Sequence, residues 1–249
     1  MRILIISEAN SLLPAALEAE AKKLKPQPED IQTLTLDMKH IRFPELKIIL
    51  NHQAPDVIIL NPPAEPTNEA IFGQLIKELT RYSSIMSAKI MLISSVEVLG
   101  DTTPRSEVAI PLPNSEMGTF LRMAETRLES ETSRYYIFRL PYTLESPRVK
   151  EWLSWTEPAK DPAWPPRPDT IITLASMPEV APIILERIQS GWYGKYHVTP
   201  NDSVSIKYLI SGVDNFWTIG KVTDNSLASK YTWALSPTGY TWFKWTQKK

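Results

Sequence analysis

The chain contains no cysteine and only three histidines among its 249 residues. Without cysteine there are no disulfide bonds, no thiolate metal sites and no cysteine nucleophile. The histidines, His40, His52 and His197, are scattered along the sequence, with no two close together. A histidine-based metal site is therefore not expected, and the sequence predicts no metal centre.

Glycine is scarce and proline abundant, with 8 and 22 residues respectively. An α/β protein that binds a dinucleotide uses glycine where its backbone must come close to phosphate. The scarcity of glycine therefore counts against an ordinary dinucleotide site.

Strong charge and long apolar runs are also missing. The formal net charge of −1 gives no argument for nucleic acid or for an anionic membrane as a partner. No apolar run approaches the ~20 residues needed to span a bilayer. The apolar N-terminal run is short and is followed by Glu8 and Asn10, so we interpret it as a strand rather than a signal peptide. These features predict a cytoplasmic protein with neither a nucleic-acid nor a membrane partner.

Strand-like and helix-like patterns alternate over the first 140 residues, and the hydrophobic content of 43% is enough for a proper core. The predicted strands are Arg2–Ser7, Ile31–Leu36, Asp56–Leu60, Lys89–Ser94 and Tyr135–Leu140. The predicted helices are Leu12–Leu24, Pro44–His52, Asn68–Ser83 and Ser115–Glu131. This alternation predicts a parallel sheet with helices on both faces.

The pattern changes after Pro141. Trp152–Pro168 is rich in tryptophan and proline and has no clear periodicity. The remaining predicted elements are a helix at Glu179–Gln189, a strand at Lys195–Thr199 and a helix at Ser205–Val213. We predict one domain over residues 1–140 and a small lobe over residues 141–249 that is interleaved with the main sheet.

The segment from Ile93 to Glu125 carries a family resemblance. It reads I-S-S-V-E-V-L from Ile93 and P-N-S-E-M-G-T-F-L from Pro113. These words resemble I-S-T-D-Y-V-F-D-G and P-x-N-x-Y-G-x-S-K-x-x-x-E of the extended short-chain dehydrogenase/reductase superfamily, in particular its dTDP-4-dehydrorhamnose reductase group. Weaker matches at residues 55–66, 135–141 and 193–210 extend the resemblance over nearly the whole chain. It implies a Rossmann-type doubly wound sheet, a nucleotide-sugar ligand and NAD(P).

The resemblance also marks the catalytic position. In that family a tyrosine transfers the proton, a lysine four residues later lowers the tyrosine pKa, and a Ser or Thr hydroxyl polarises the substrate oxygen. Met117 and Leu121 stand at the tyrosine and lysine positions, and only the hydroxyl remains, at Ser95. Methionine and leucine cannot do this chemistry, so hydride transfer by the family mechanism is not expected.

The loop after the first strand departs from the family in the same way. The family motif at this loop is T-G-A-N-G-x-L-G, whereas here Glu8, Ser11 and Pro14 stand at the glycine positions. A carboxylate about 4 Å from a pyrophosphate costs on the order of 1–4 kcal/mol. We therefore interpret the loop as a plain strand–turn–helix corner, with ordinary NAD(P) binding as the less favoured alternative.

The resemblance nominates ligand contacts at the carboxyl ends of the strands. For NAD(P) they are Asn10, Ser11, Leu12, Asp37, Pro62 and Ser94. For a substrate or other ligand they are Ser95, Arg139, Tyr142 and Trp164. Plain structural roles stay open for each: an aspartate that ends a strand caps the next turn, and serines at strand ends bond nearby backbone.

Three functions remain open at this stage. The leading hypothesis is a catalytically degenerate, non-enzymatic protein that binds a ligand, or that regulates or binds a protein partner. The alternative is an NAD(P)-dependent sugar-nucleotide reductase or epimerase with displaced catalytic residues, among which Tyr142 is the candidate proton donor. The third is a homodimer subunit that associates through the helix holding Met117.

Overall fold

The computed structural model describes residues 1–23, 32–100, 109–143, 149, 171–172, 174–191, 193–198 and 204–205. The strands within these residues are β1 (Arg2–Ser7), β2 (Gln32–Asp37), β3 (Val57–Leu60), β4 (Lys89–Ser95), β5 (Tyr135–Leu140), β6 (Tyr142–Thr143), β7 (Ile171–Ile172), β8 (Leu174–Ala175), β9 (Gly194–His197) and β10 (Val204–Ser205). The helices are α1 (Leu13–Ala21), α2 (Phe43–Gln53), α3 (Glu69–Met86), α4 (Glu116–Glu131) and α5 (Met177–Ser190). Short 3-10 turns follow β2 at Met38–His40 and β4 at Val96–Leu99.

The central sheet has the strand order β2-β1-β3-β4-β5-β9, and all its neighbours are parallel. The chain leaves β1 for β2 on one side and then returns to β3 on the other side. The strand order therefore reverses between β1 and β3. Sheets of this kind leave a ligand crevice outside the carboxyl ends of the strands at the point of reversal. The predicted Rossmann-type doubly wound sheet is confirmed.

Both faces of the sheet are covered. In β1 the residues Ile3 to Ile6 are all buried, as expected for a parallel strand between two helical layers. Ile3 and Ile5 pack in a core cluster with residues of α1 and α5. Leu4 and Ile6 pack in a second cluster with residues of α2, α3 and α4.

Most predicted elements are confirmed, with shifts at their ends. Helix α3 continues past Ser83 to Met86 and ends where Ser87 adopts a left-handed φ of 57°. Helix α5 begins at Met177, ahead of the predicted Glu179, because Ser176 and Glu179 form a capping box. Local patterns reveal the periodic body of a helix better than its ends.

One prediction is wrong at its start. Ser205 lies in β10, which pairs antiparallel with β7, so no helix begins there. Pairing between distant segments overrides the local helical pattern at this point. The rest of that predicted helix, and the Trp- and Pro-rich segment from Trp152 to Pro168, lie outside the described residues. The domain boundary at residue 141 stays a prediction.

Across the described ranges, no helix combines the length and the apolar character needed to cross a membrane. The same ranges hold no group of three or more His, Cys, Asp or Glu side chains arranged to bind a metal ion.

Candidate ligand-binding cleft

The loop between β1 and α1 forms one wall of the crevice. The N–H of Ser11 donates to the carbonyl of Glu8 at 3.0 Å and closes a turn. Neither Glu8 nor Ser11 has a positive φ, so this backbone path does not require glycine. Pro14 lies in the first turn of α1, where its missing N–H costs nothing. The loop is therefore a strand–turn–helix corner that forms without the family's glycines.

The carboxylate of Glu8 ties three strand ends together. Its Oε1 lies 2.9 Å from Nζ of Lys39, after β2. Its Oε2 accepts the backbone N–H of Ala64, after β3, at 3.0 Å. We call these two interactions the Glu8 contact. They join loops that are far apart in sequence, at the point where the strand order reverses.

The Glu8 contact stabilises the charged forms of Glu8 and Lys39. Burial, the largest single influence, raises the pKa of Glu8, but the hydrogen bonds from Ala64 and Lys39 and the charge of Lys39 outweigh it, so the pKa is lowered. The hydrogen bond to Glu8 raises the pKa of Lys39. Both groups are therefore ionised at neutral pH.

The corner does not fit the pyrophosphate of an NAD(P)-type cofactor as it stands. Such a group needs N–H donors or a cation and no opposing negative charge. The N–H of Ala64 and the ammonium of Lys39 are suited to an anion, but both are already held by the chain's own carboxylate. A bound phosphate would have to displace Glu8 or accept its repulsion.

Five of the six residues nominated for the cofactor lie around this corner. Asn10 and Leu12 are exposed, and Pro62, just after β3, is half-buried. The hydroxyl of Ser11 accepts a hydrogen bond from Nδ2 of Asn61 at 2.9 Å. Asp37 caps the 3-10 turn, since it accepts the N–H of Lys39 at 3.1 Å and lies 2.7 Å from Nδ1 of His40. That backbone hydrogen bond is the main cause of the lowered pKa of Asp37.

An apolar pocket of about 180 Å³ opens beside the Glu8 contact. It lies between the turn after β2 and the start of α3. Its lining is Glu8, Met38, Lys39, Ile41, Phe43, Pro63, Thr67, Asn68, Ile71, Phe72 and Leu75. Sequence reasoning missed this pocket. The available signal was the apolar side chains at loop and helix-start positions, such as Ile41, in the loop before α2, and the exposed Ile71, in the first turn of α3.

The second corner, between β4 and α4, has apolar core side chains at the positions of the family's tyrosine and lysine. Met117 and Leu121 are 8% and 4% exposed and pack in the core with Phe72, Val98 and Leu99. Met117, Leu121 and Glu125 follow one another at intervals of four residues and so share one face of α4. The positions of the family's tyrosine and lysine are thus part of the hydrophobic core.

Helix α4 lies against the turn that follows β4. Ser115 caps the helix by accepting the N–H of Gly118 at 2.9 Å, and its own hydroxyl donates to Oε2 of Glu97 at 2.8 Å. A Cβ at Gly118 would lie only 2.5 Å from the carbonyl oxygen of Glu97. Gly118 therefore allows the close approach that holds α4 on this corner.

A buried ion pair lies under the same corner. Arg139 of β5 donates from Nε to Oε1 of Glu125 at 2.9 Å and from Nη2 to Oε2 at 2.8 Å. The hydroxyl of Ser94 also donates to Oε1 of Glu125, at 2.7 Å. Arg139 and Glu125 are both fully buried, and Ser94 nearly so. Ser94 and Arg139, two of the nominated ligand contacts, are thus bonded to Glu125 in the protein interior.

The remaining nominated residues lie at the rim or outside the described residues. Ser95 is half-buried and accepts the N–H of Glu97 at 3.2 Å, which caps the turn after β4. Ser95 pairs with Leu140 across β4 and β5, and Tyr142 follows two residues later in β6, also half-buried. Trp164 lies outside the described residues. The structure thus groups the nominated residues by corner, and their roles as ligand contacts stay predictions.

Comparisons with known proteins give the fold a context. No protein-family model matches the sequence, and no curated protein matches it. Among solved structures, the dTDP-4-dehydrorhamnose reductase from Bacillus anthracis in complex with NADP aligns at 17% identity over 100% of this chain and 99% of that chain, with a TM-score of 0.71. The Bordetella bronchiseptica enzyme WbmG in complex with NAD aligns at 15% identity over 98% and 94%, with a TM-score of 0.71.

A third neighbour is the putative NAD-dependent epimerase/dehydratase from Methylobacillus flagellatus. It aligns at 16% identity over 100% of this chain and 99% of that chain, with a TM-score of 0.64. At these identities the likeness establishes the fold alone. The resemblance drawn from the motifs is confirmed at that level: the chain has the fold of dTDP-4-dehydrorhamnose reductases and related NAD-dependent epimerases.

Proposed function

We propose that this protein is a non-enzymatic relative of the dTDP-4-dehydrorhamnose reductases that binds a ligand in the cleft between β1 and β3. One observation carries the proposal: Met117 and Leu121, at the positions of the family's tyrosine and lysine, are buried core side chains. Neither can exchange a proton, and neither faces solvent. Catalysis of the family type requires a proton donor within hydrogen-bond reach of the substrate oxygen.

The surroundings of these positions support the same conclusion. Glu125, the carboxylate on the same face of α4, is held by Arg139 and Ser94. Ser95 is used to cap the following turn. The polar groups of the β4–α4 corner are thus engaged in holding the fold, while the β1–α1 corner keeps a charged rim and an apolar pocket.

The test is an assay for hydride transfer with purified protein, NADPH and dTDP-4-dehydrorhamnose. We expect no oxidation of NADPH above the rate without protein. The B. anthracis reductase is the positive control, because its structure is named as a dTDP-4-dehydrorhamnose reductase bound to NADP. Sustained oxidation of NADPH by the wild-type chain would end this proposal.

The second candidate function is an NAD(P)-dependent sugar-nucleotide reductase or epimerase with displaced catalytic groups. The structural neighbours favour it, since they include a reductase with NADP and an enzyme with NAD and UDP. Tyr142 lies two residues after Leu140, the strand residue that pairs with Ser95, and is therefore the candidate proton donor. If NADPH is oxidised, replacement of Tyr142 by phenylalanine must abolish turnover for this candidate to stand.

A regulatory role would require a protein partner, or a second copy of the chain joined through α4. Light scattering at several protein concentrations separates a homodimer from a monomer. A mass of one chain at all concentrations would remove the homodimer and leave the ligand-binding role.

A further inference from the structure

We infer that Glu8 determines which ligands the cleft accepts, because its carboxylate occupies the place where the phosphate of a nucleotide would bind. The inference deepens the proposed function and rests on it, since it names a ligand class that the same cleft excludes. In the wild-type chain the cleft discriminates against ligands with a phosphate group next to their ring and sugar. Without Glu8 it becomes an anion site.

The geometry of the Glu8 contact is that of a bound anion. One carboxylate oxygen faces an ammonium group at 2.9 Å, and the other accepts a backbone N–H at 3.0 Å. An ammonium and an exposed N–H just after a strand are the donors that proteins use for phosphate oxygens. Here both donors converge on a side chain of the chain itself.

The pocket next to the contact supplies the second half of a ligand site. Its walls are mainly apolar and include Phe43 and Phe72. Its volume of about 180 Å³ is below the ~300–1,000 Å³ of pockets for drug-sized ligands, so it suits a single ring system. A flat ring in this pocket would bring the next polar group of the ligand to Glu8 and Lys39, which also line the pocket. A nucleotide combines a ring and an anion in this order.

The Glu8 contact is not needed to shape the loop. The turn is closed by the hydrogen bond from Ser11 to the Glu8 carbonyl, and the Asn61–Ser11 hydrogen bond ties the loop to β3. Both remain when the Glu8 side chain is shortened. Replacement of Glu8 by alanine should therefore free Lys39 and Ala64 without unfolding the corner.

The experiment is a calorimetric titration of wild-type protein and the Glu8→Ala variant with ADP and with adenosine. We expect the variant to bind ADP at least about tenfold more tightly than wild type does, and adenosine with little change. A double variant, Glu8→Ala with Lys39→Met, should lose most of the gain. Thermal melting of each variant checks that the fold is intact.

The matched control is Glu65→Gln. Glu65 is exposed on the same loop as Ala64 and acts on Lys39 through charge alone, so this variant removes one negative charge without freeing the two donors. An equal gain in ADP affinity for Glu65→Gln would overturn the inference, since the effect would then be general electrostatics. A folded Glu8→Ala variant with no gain for ADP would also overturn it.

The titration and the assay for hydride transfer can fail separately. Oxidation of NADPH by wild-type protein ends the proposed function whatever Glu8 does. No turnover together with unchanged ADP binding in Glu8→Ala leaves the non-enzymatic proposal standing and removes only the role of Glu8.

Discussion

The β1–α1 corner and the β4–α4 corner lie at the same edge of one sheet, yet they are held by contacts of different kinds. At the first corner, a single carboxylate, whose side chain is 14% exposed, holds an ammonium and an N–H beside an open pocket. At the second, apolar side chains and a buried ion pair fill the space. One substitution at Glu8 is enough to break the first arrangement, whereas the second is part of the core. The proposed function therefore predicts that phosphate binding is much easier to introduce into this chain than catalysis.

The buried ion pair should give the largest effect on stability. Replacement of Arg139 by methionine leaves Glu125 buried without its bidentate partner, and we expect a loss of about 3–5 kcal/mol in the free energy of unfolding. Urea denaturation measures it. The matched control is Arg127→Met, which breaks the more exposed Arg127–Glu131 pair on the same helix and should cost about 0.5 kcal/mol or less. Similar losses for the two variants would contradict the structural role assigned to the buried pair.

Introducing the family's catalytic residues should destabilise the second corner without producing activity. Leu121→Lys places an ammonium in the core, where the nearest carboxylate on that helix face is already held by Arg139. We expect a cost on the order of 3 kcal/mol for this change, because the buried amine must keep an unpaired charge or give up its proton, and the double variant with Met117→Tyr should still not oxidise NADPH. Turnover by a stable double variant would show that the corner retains a catalytic geometry.

The sequence predicted this difference only in part. The apolar strands were predictable because their β-branched runs are bounded by proline, aspartate and serine, and parallel strands between two helical layers need no alternation. The motif frame marked the departures at Met117, Leu121 and Glu8. The partners of Glu8 were not predictable, because Lys39 and Ala64 come from separate loops that meet only after the sheet has formed.

The two serines at the end of β4 illustrate the same limit. Ser94 and Ser95 are neighbours in sequence, but successive side chains of a strand point to opposite faces of the sheet. Ser94 therefore bonds Glu125 in the interior, whereas Ser95 lies at the rim. Without the register of β4 the sequence could not separate them. Arg139 could equally have faced a ligand or the core, and its pairing with Glu125 depends on how α4 packs on β5.

Helices α3 and α4 pack together near the second corner, and each contains a glycine with different surroundings. A Cβ at Gly118 would lie 2.5 Å from a backbone oxygen of the turn after β4, whereas a Cβ at Gly73 in α3 meets nothing within 4 Å. We expect Gly118→Ala to destabilise by about 1–3 kcal/mol through overpacking. Gly73→Ala should stabilise by about 0.5–1 kcal/mol, since it removes backbone freedom from the unfolded chain. Denaturation midpoints give both values, and equal signs would contradict the packing of α4.

The smallest effect concerns pH at the first corner. The lowered pKa of Glu8 means that its contribution to stability is present above pH 4.5 and is lost as pH falls through that lowered pKa. The raised pKa of Lys39 means that its contribution is complete below pH 10.5 and is lost as pH rises further. We therefore expect the difference in the free energy of unfolding between wild type and Glu8→Ala to stay constant from about pH 5 to 9. A difference that vanishes near pH 6 would show that Glu8 is protonated there.

The most direct test is a calorimetric titration of wild type and Glu8→Ala with NADPH, followed by measurement of NADPH oxidation with dTDP-4-dehydrorhamnose in the same samples. We expect weak or no binding by wild type, clear binding by Glu8→Ala, and no oxidation by either. Tight binding of NADPH by wild type together with its oxidation would contradict the account at both corners.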